Sequence, residues 1–184
     1  MTKMLLFLLF SFCAFAGNNT HLIDEDYESG YAIYRVSKPS FKDMKKFCDL
    51  GIEEMVVLSG NADSYEVKNQ AGCPGLKVVY NEKQSSKIPL TSSFLEWFDS
   101  WVAEAKRVGK KIAFRCNCGC HRTGRLAAYY QMKFQNLTAT DAKAILKKHG
   151  KYMFLFRHLY PQVYALKDYI RGVDCSQKSK YCVK

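Results

Sequence analysis

The sequence IAFRCNCGCHRTGR, residues 112–125, decides the fold of this chain of 184 residues. Its first three residues predict a buried strand, and the apolar residues that follow predict a helix. The loop of residues 116–122 joins the two and is called the cysteine loop below. Gly119 allows a positive φ at mid-loop, and Gly124 allows close packing where the helix starts. Loop amides and the helix N-terminus then point into one concavity, which binds a tetrahedral anion without any side chain.

Three side chains of this segment predict chemistry as well as binding. Cys116 lies at the bottom of the cradle, where amide dipoles favour a thiolate, so we expect its pKa to fall well below about 8.5. Arg122 can return over the loop and grip two phosphate oxygens in a planar fork. Thr123 can donate its hydroxyl to the sulfur and help it leave. Together these groups predict phosphoryl transfer through a phosphocysteine intermediate.

Strand and helix patterns alternate on both sides of this segment. Strands are predicted at 31–36, 55–58, 76–80 and 112–114. Helices are predicted from the Ser40 cap to Leu50, from Ser92 or Ser93 to about Val108, and near 123–135, 140–148 and 154–171. This order predicts an α/β fold with a mostly parallel central sheet flanked by helices. Because no linker or repeat interrupts it, residues 17–184 are predicted to form a single domain.

Composition excludes several classes of protein. The 12 Phe and 12 Tyr, with 48% hydrophobic residues, exclude an intrinsically disordered chain, and 11 Gly with 4 Pro exclude a collagen-like one. Outside the first sixteen positions the sequence has no apolar run long enough for a multi-spanning membrane protein. The net charge of +11 points to an anionic partner, whether phosphorylated metabolite, nucleic acid or membrane surface.

Residues 1–16 have the pattern of a secretory signal peptide. Lys3 precedes an apolar stretch, and Ala14-Phe15-Ala16 forms an A-x-A cleavage site. We therefore predict an exported protein, periplasmic or secreted, without stable membrane insertion after cleavage. An uncleaved anchor is the alternative.

The pattern Cys116-x5-Arg122-Thr123-Gly124, between a strand and a helix, resembles the signature loop of the protein tyrosine phosphatase superfamily, in its compact, dual-specificity-like branch. His121 before the arginine is similar to the atypical plant and fungal group that acts on inositol phosphates, and export with basic charge matches phytase-like secreted bacterial members. The resemblance implies that Cys116 is the nucleophile, Arg122 the phosphate clamp, and no cofactor is needed. It implies that the loop amides come from Asn117, Cys118, Gly119, Cys120 and His121.

The chain departs from the family pattern at two positions. Arg115 stands where the family usually has His; it either lowers the pKa of the thiol or caps the strand end. The general-acid Asp that the family carries upstream is missing, and Glu82 is the nearby candidate. Otherwise His121 or a water donates the proton, or the leaving groups need little protonation.

Basic residues near the predicted cradle indicate the substrate class. Lys83 and Lys87 are predicted to face the pocket, and His121 and Arg125 to border the cradle. Four more basic residues are expected near its rim: Lys147, Lys148, Arg157 and His158. A multiply charged small molecule, such as an inositol polyphosphate, would use such a ring; a phosphoprotein or a small phosphate ester is the alternative. A weakly catalytic phosphate-binding module is the second class of function, and no nucleic-acid partner is expected.

The cysteines suggest disulfide chemistry more than metal binding. Cys116, Cys118 and Cys120 lack the paired spacing of zinc sites, so no metal is predicted. Cys118 or Cys120 can instead form a reversible disulfide that protects Cys116 from over-oxidation. Cys175 and Cys182 can close a short disulfide loop.

Overall fold

The computed structural model describes residues 19–184. The predicted signal peptide, residues 1–16, lies outside these residues. In chain order the elements are β1 (His21–Asp26), β2 (Tyr31–Val36), α1 (Phe41–Asp49), β3 (Glu54–Val57), β4 (Lys77–Asn81), α2 (Ser92–Val108), β5 (Lys111–Arg115), α3 (Arg122–Phe134), α4 (Ala139–His149) and α5 (Leu159–Ile170). This alternation confirms the predicted α/β class.

The five strands form one sheet in the order β1-β2-β5-β3-β4. Strands β2, β5, β3 and β4 run parallel, and β1 pairs antiparallel with β2 at the edge. The sheet is therefore mostly parallel, as predicted. Strand β1 was not predicted, because three of its six residues HLIDED are acidic and the strand is only partly buried, as an edge strand permits.

Helices cover both faces of the sheet and bury two apolar clusters. On one face α1 packs Met44 and Phe47 against Val57 and Ala113. On the other face, α2 and α3 pack against the opposite side of the same strands, with Phe114 fully buried, and α4 and α5 pack in turn on α3. The strand that leads into the cysteine loop is thus enclosed on both sides, which fixes the position of the loop that follows it.

Capping residues define where the helices begin. Ser40 caps α1 in a reciprocal capping box with Asp43, as the sequence predicted for this start. The cap of α2 is Thr91, whose Oγ1 accepts from the Phe94 amide at 3.2 Å, so the prediction of Ser92 or Ser93 is wrong by one or two residues. Each such cap stabilises its helix by roughly 1 kcal/mol.

The C-terminal part differs slightly from the prediction. Helix α5 begins at Leu159 rather than 154, because residues 153–155 form a separate 3₁₀ turn with Phe154 exposed. Cys175 and Cys182 form a disulfide with their Cα atoms 5.9 Å apart. Within residues 19–184 the structure has no helix of the length and apolarity that crossing a membrane requires.

Candidate active site

The cysteine loop is braced by the end of β2. Gly119 has φ +65°, and a Cβ at this position would lie 2.6 Å from the carbonyl oxygen of Val36. The amide of Lys38 donates to the carbonyl of Asn117 at 3.1 Å. Only glycine satisfies both the left-handed backbone and this close approach. The loop is therefore held against a rigid strand, as a preorganised anion cradle requires.

Cys116 lies at the bottom of the loop, with a side chain only 1% exposed. A hydrogen bond with Cys118 and burial raise its pKa, while the hydroxyl and the backbone amide of Thr123 act in the opposite direction. The expectation of a lowered pKa is therefore wrong for this arrangement of the loop. The reason is that burial and a neighbouring thiol disfavour the thiolate, an effect that sequence alone does not reveal.

The three thiols of the loop form one cluster. The Cys118 sulfur accepts from the Cys120 amide at 3.1 Å and lies 3.8 Å from Nδ1 of His121. A hydrogen bond with Cys118 lowers the pKa of Cys120. Cys118 is thus in contact with both of its neighbours, and the reversible disulfide stays a prediction that this contact makes feasible.

Arg122, the first residue of α3, lies at the mouth of the loop. Its Nη1 donates to the carbonyls of Leu58, at 2.9 Å, and Gln84, at 3.3 Å. Among residues 19–184 no hydrogen bond engages Nε or Nη2, which leaves this edge of the guanidinium for phosphate oxygens. Arg122 lines a cavity of about 380 Å³. The residues lining that cavity are Lys83, Gln84, Ser85, Ser86, His121, Arg122 and Phe156.

His121 is fixed at the rim of this cavity. Its Nε2 lies 2.6 Å from the Lys151 carbonyl oxygen, and its ring stacks on Phe156 with the centroids 3.4 Å apart. Because a carbonyl only accepts, Nε2 carries the proton, and Nδ1 faces Cys118. His121 therefore lines the cradle, and neither nitrogen is positioned as a proton donor for the cavity.

Arg125 does not border the cradle. It is 1% exposed and donates through Nη1 to the Ile88 carbonyl at 2.7 Å and through Nη2 to the Ser85 carbonyl at 3.1 Å. Gln162, which the sequence did not single out, accepts from the same guanidinium and donates to the Ser86 carbonyl at 3.0 Å. The predicted rim position is wrong, because Arg125 is needed beneath the loop of residues 85–88 to bind its carbonyls.

Glu82 lies outside the cavity that Arg122 faces. It lines a neighbouring groove of about 570 Å³ with Tyr80, Phe94 and Trp97, and its carboxylate accepts from the Tyr80 hydroxyl at 3.2 Å. None of the described residues that line the Arg122 cavity is an Asp or a Glu. The structure therefore does not bring the candidate general acid together with Cys116 and Arg122.

Arg115 forms a buried ion pair with Glu66, and both side chains are fully buried. The same guanidinium donates to Ser59 and to Asn61, each at 2.8 Å, and Asn61 donates in turn to Asn117 at 3.0 Å. Because Glu66 neutralises it, Arg115 connects the cysteine loop to residues 59–66 and is not a free charge for the thiolate. Glu66 and Asn61 are site residues that the sequence analysis missed.

Of the other residues predicted near the cradle, some line the Arg122 cavity and others lie elsewhere. Lys83 lines the Arg122 cavity. Burial and the charge of nearby Lys87 lower the pKa of His158, so these two lie close together. Lys148 acts instead on His21, away from the cavity. A Cβ on Gly124 would lie 3.4 Å from Leu146, which agrees with the predicted close packing at the start of α3.

No group of three or more His, Cys, Asp or Glu side chains among residues 19–184 is arranged to hold a metal ion.

Solved structures of protein tyrosine phosphatases superpose on this chain. TpbA of P. aeruginosa, in complex with pTyr, matches with a TM-score of 0.57 and 18% identity over 78% of this chain and 80% of its own. A glycine-to-alanine variant of Tk-PTP matches with a TM-score of 0.61 and 18% identity, covering 84% and 97%. PTPMT1 in complex with PI(5)P matches with a TM-score of 0.55 and 11% identity, covering 79% and 97%.

No protein-family model matches the sequence, and no curated protein matches it either. The structural matches show that the chain has the compact, dual-specificity-like fold of the protein tyrosine phosphatase superfamily, as the sequence resemblance implied.

Proposed function

We propose that this protein is a cysteine-dependent phosphatase that hydrolyses phosphate monoesters of multiply charged small molecules, with inositol polyphosphates as the leading class. One observation carries the proposal. Cys116 lies buried at one end of the braced loop, and Arg122, at the other end of the same loop, keeps an unengaged edge and lines a cavity with Lys83 and His121. A thiol and a guanidinium on one cradle provide a nucleophile and a clamp for the same phosphoryl group.

The reaction has two displacements at phosphorus. In the first, the Cys116 thiolate forms the S–P bond as the bond from phosphorus to the ester oxygen breaks, and that oxygen takes a proton and leaves as an alcohol. In the second, water attacks phosphorus, the S–P bond breaks, and the electron pair returns to sulfur while inorganic phosphate leaves. The buried Thr123 hydroxyl favours the thiolate and so assists the second step.

The first displacement needs a proton donor for the leaving ester oxygen. The Arg122 cavity is lined by no carboxylate of the described residues, and Glu82 is bound to Tyr80 in the next groove. We propose that water supplies the proton, which predicts a slow enzyme, since a lost general acid costs about 10²–10⁴-fold in rate. The same observation favours a second candidate function, a phosphate-binding module that turns over poorly.

The charge at the cavity supports a multiply phosphorylated substrate. Lys83 and Arg122 line it, and Lys87, which follows the lining residue Ser86 in the chain, lies close to His158. A second and third phosphate on one small molecule would meet these groups, whereas a phosphotyrosine uses only one phosphate. PTPMT1 and TpbA have been solved with PI(5)P and pTyr respectively, so both ligand classes occur on this fold.

Export stays part of the proposal. It rests on the signal-peptide pattern of residues 1–16, and the Cys175–Cys182 disulfide agrees with an oxidising compartment. N-terminal sequencing of the protein from a culture supernatant or periplasmic fraction tests it. A first residue of Gly17 would support export, and an intact Met1 in the cytosolic fraction would contradict it.

Phosphate release from a substrate panel tests the activity. The panel contains p-nitrophenyl phosphate, a phosphotyrosine peptide and inositol hexakisphosphate, under reducing conditions, with Cys116→Ser as the control. Release from the inositol substrate that the substitution abolishes supports the proposal. Release from the peptide alone would identify a phosphoprotein as the substrate in place of an inositol polyphosphate. Binding without any release would favour the phosphate-binding module.

A further inference from the structure

Arg35 carries a buried positive charge directly beneath the cysteine loop. It lies in β2 with only 2% of its surface exposed, and its Nη2 donates to the carbonyl of Gly119 at 2.7 Å. Its Nε and Nη1 are buried and have no hydrogen-bond partner among residues 19–184. No ion pair of the described residues includes it. A buried guanidinium without a carboxylate is costly, so a role that offsets this cost is expected.

The titratable groups around Arg35 show which of its neighbours can carry a compensating negative charge. The thiols of Cys116, Cys120 and Cys118 all interact with its charge. The other titratable neighbours are His21 and His149, and in both cases burial first, and Arg35 second, lower the pKa of the imidazole. Lys148, which acts on both imidazoles, is itself a cation. The cysteine loop is therefore the one place among these groups where a negative charge can form.

We propose that Arg35 is a positioning residue of the active site, which fixes the Gly119 carbonyl and stabilises a thiolate on the cysteine loop from below. This inference rests on the proposed function, since it supplies the nucleophile that phosphoryl transfer requires. The role also explains how a thiolate can form on Cys116 although burial disfavours it. Attraction between opposite charges is strong in a buried site, so the guanidinium opposes the effects of burial and of Cys118.

Neither of the other arginines near the loop can take this role. Arg115 is paired with Glu66 and so carries no uncompensated charge. Arg122 lines the cavity, where its unengaged edge is available to a phosphate group of the substrate. Burial lowers the pKa of Arg35 only to about 10, so its guanidinium is protonated at neutral pH. Arg35 thus remains charged across the range in which the thiolate must form.

Two variants separate the charge of Arg35 from its hydrogen bond. Arg35→Gln keeps an N–H donor for the Gly119 carbonyl but is neutral, whereas Arg35→Lys keeps the charge. The readout is the pH dependence of alkylation by iodoacetamide at Cys116, located by tandem mass spectrometry in the reduced, full-length protein. Arg107→Gln, which removes an exposed charge paired with Glu104, is the matched control.

We expect Arg35→Gln to slow alkylation of Cys116 at pH 7 by about tenfold or more, because one unit of pKa changes the thiolate fraction tenfold. Arg35→Lys and the control should stay within about threefold of the native protein, which is about half a pKa unit. An unchanged profile in a folded Arg35→Gln would overturn the proposal, and so would an equal loss in Arg35→Lys. Far-ultraviolet circular dichroism establishes folding.

A measurement on the native protein keeps the proposal testable if the variants do not fold. The midpoint for Cys116 alkylation should lie below that of Cys73, a thiol that is buried to the same extent but has no arginine among the groups that shift its pKa. A midpoint at or above that of Cys73 would mean that Arg35 does not stabilise the thiolate. Because alkylation needs no turnover, a low midpoint with no phosphate release would contradict the proposed function and leave the role of Arg35 standing.

Discussion

Arg115 and Glu66 form a fully buried ion pair immediately before the candidate nucleophile. The pair joins the end of β5 to residues 59–66, and through Asn61 it reaches Asn117 of the cysteine loop. A histidine at this position could not make the four hydrogen bonds of Arg115, because an imidazole has only two ring nitrogens. The arginine therefore changes how the loop is supported without adding a free positive charge to it.

Removing one partner of this pair should destabilise the protein strongly. Glu66→Gln leaves the Arg115 charge buried and uncompensated, which typically costs about 3–5 kcal/mol. Urea unfolding monitored by fluorescence measures the loss. Glu104→Gln, at an exposed pair, should leave the unfolding midpoint close to that of the native protein. A Glu66→Gln protein as stable as that control would contradict the importance of the pair.

Gly119→Ala should destabilise the cysteine loop by more than the backbone strain of an alanine at positive φ. At φ +65° a Cβ is strained by roughly 1–2 kcal/mol, and here it would also lie 2.6 Å from the Val36 carbonyl. Gly172→Ala is the matched control, since Gly172 has φ +63° and open space around it. We expect the first variant to lose phosphate binding, measured by titration calorimetry, and the second to keep it. Equal binding by both would show that the close approach is unimportant.

Cys118→Ala should make Cys116 more reactive. The hydrogen bond with Cys118 is the largest influence that raises the pKa of Cys116, so its removal lowers that pKa and increases the thiolate fraction at pH 7. The rate of iodoacetamide labelling at Cys116 reports this change, and the alanine keeps the loop amide at position 118. Cys48→Ala, at an exposed thiol, is the control. A slower or unchanged rate in Cys118→Ala would refute this reading of the thiol cluster.

If the protein is the proposed phosphatase, Glu82→Gln should leave kcat and its pH profile close to those of the native protein. The carboxylate lies in the groove with Tyr80 and not in the Arg122 cavity, so we expect less than about a threefold change, well below the 10²–10⁴-fold effect of a general acid. Steady-state kinetics on an alkyl phosphate measures it, because an alkyl leaving group depends most on protonation. A loss in the general-acid range would mean that Glu82 moves into the cavity during turnover.

Local patterns predicted most of the fold. The strand, loop and helix around Cys116 follow from residue types at fixed spacing, and apolar periodicity located α1 and α2. Strand β1 was missed, because an acidic edge strand has neither a continuous apolar run nor a clear alternation. Its pairing depends on β2 and the sheet edge, which are products of the tertiary structure.

The site was only partly predictable for a related reason. Cys116, Arg122 and Thr123 are adjacent in one motif, whereas Glu66 lies 49 residues from its partner in a segment without regular structure. Arg35 and Arg125 are charged residues, for which exposure is the ordinary expectation, yet both are buried. The pKa of Cys116 likewise depends on burial and neighbours that only the folded chain provides.

A covalent phosphoryl group on Cys116 is the most direct test of the central claim. The native protein is mixed with a ³²P-labelled inositol polyphosphate, quenched in acid within milliseconds to seconds, and digested for mass spectrometry. The account predicts a labelled peptide that carries phosphate on the Cys116 sulfur and is absent from Cys116→Ser. Phosphate release without any adduct on Cys116, or release that persists in Cys116→Ser, would contradict it.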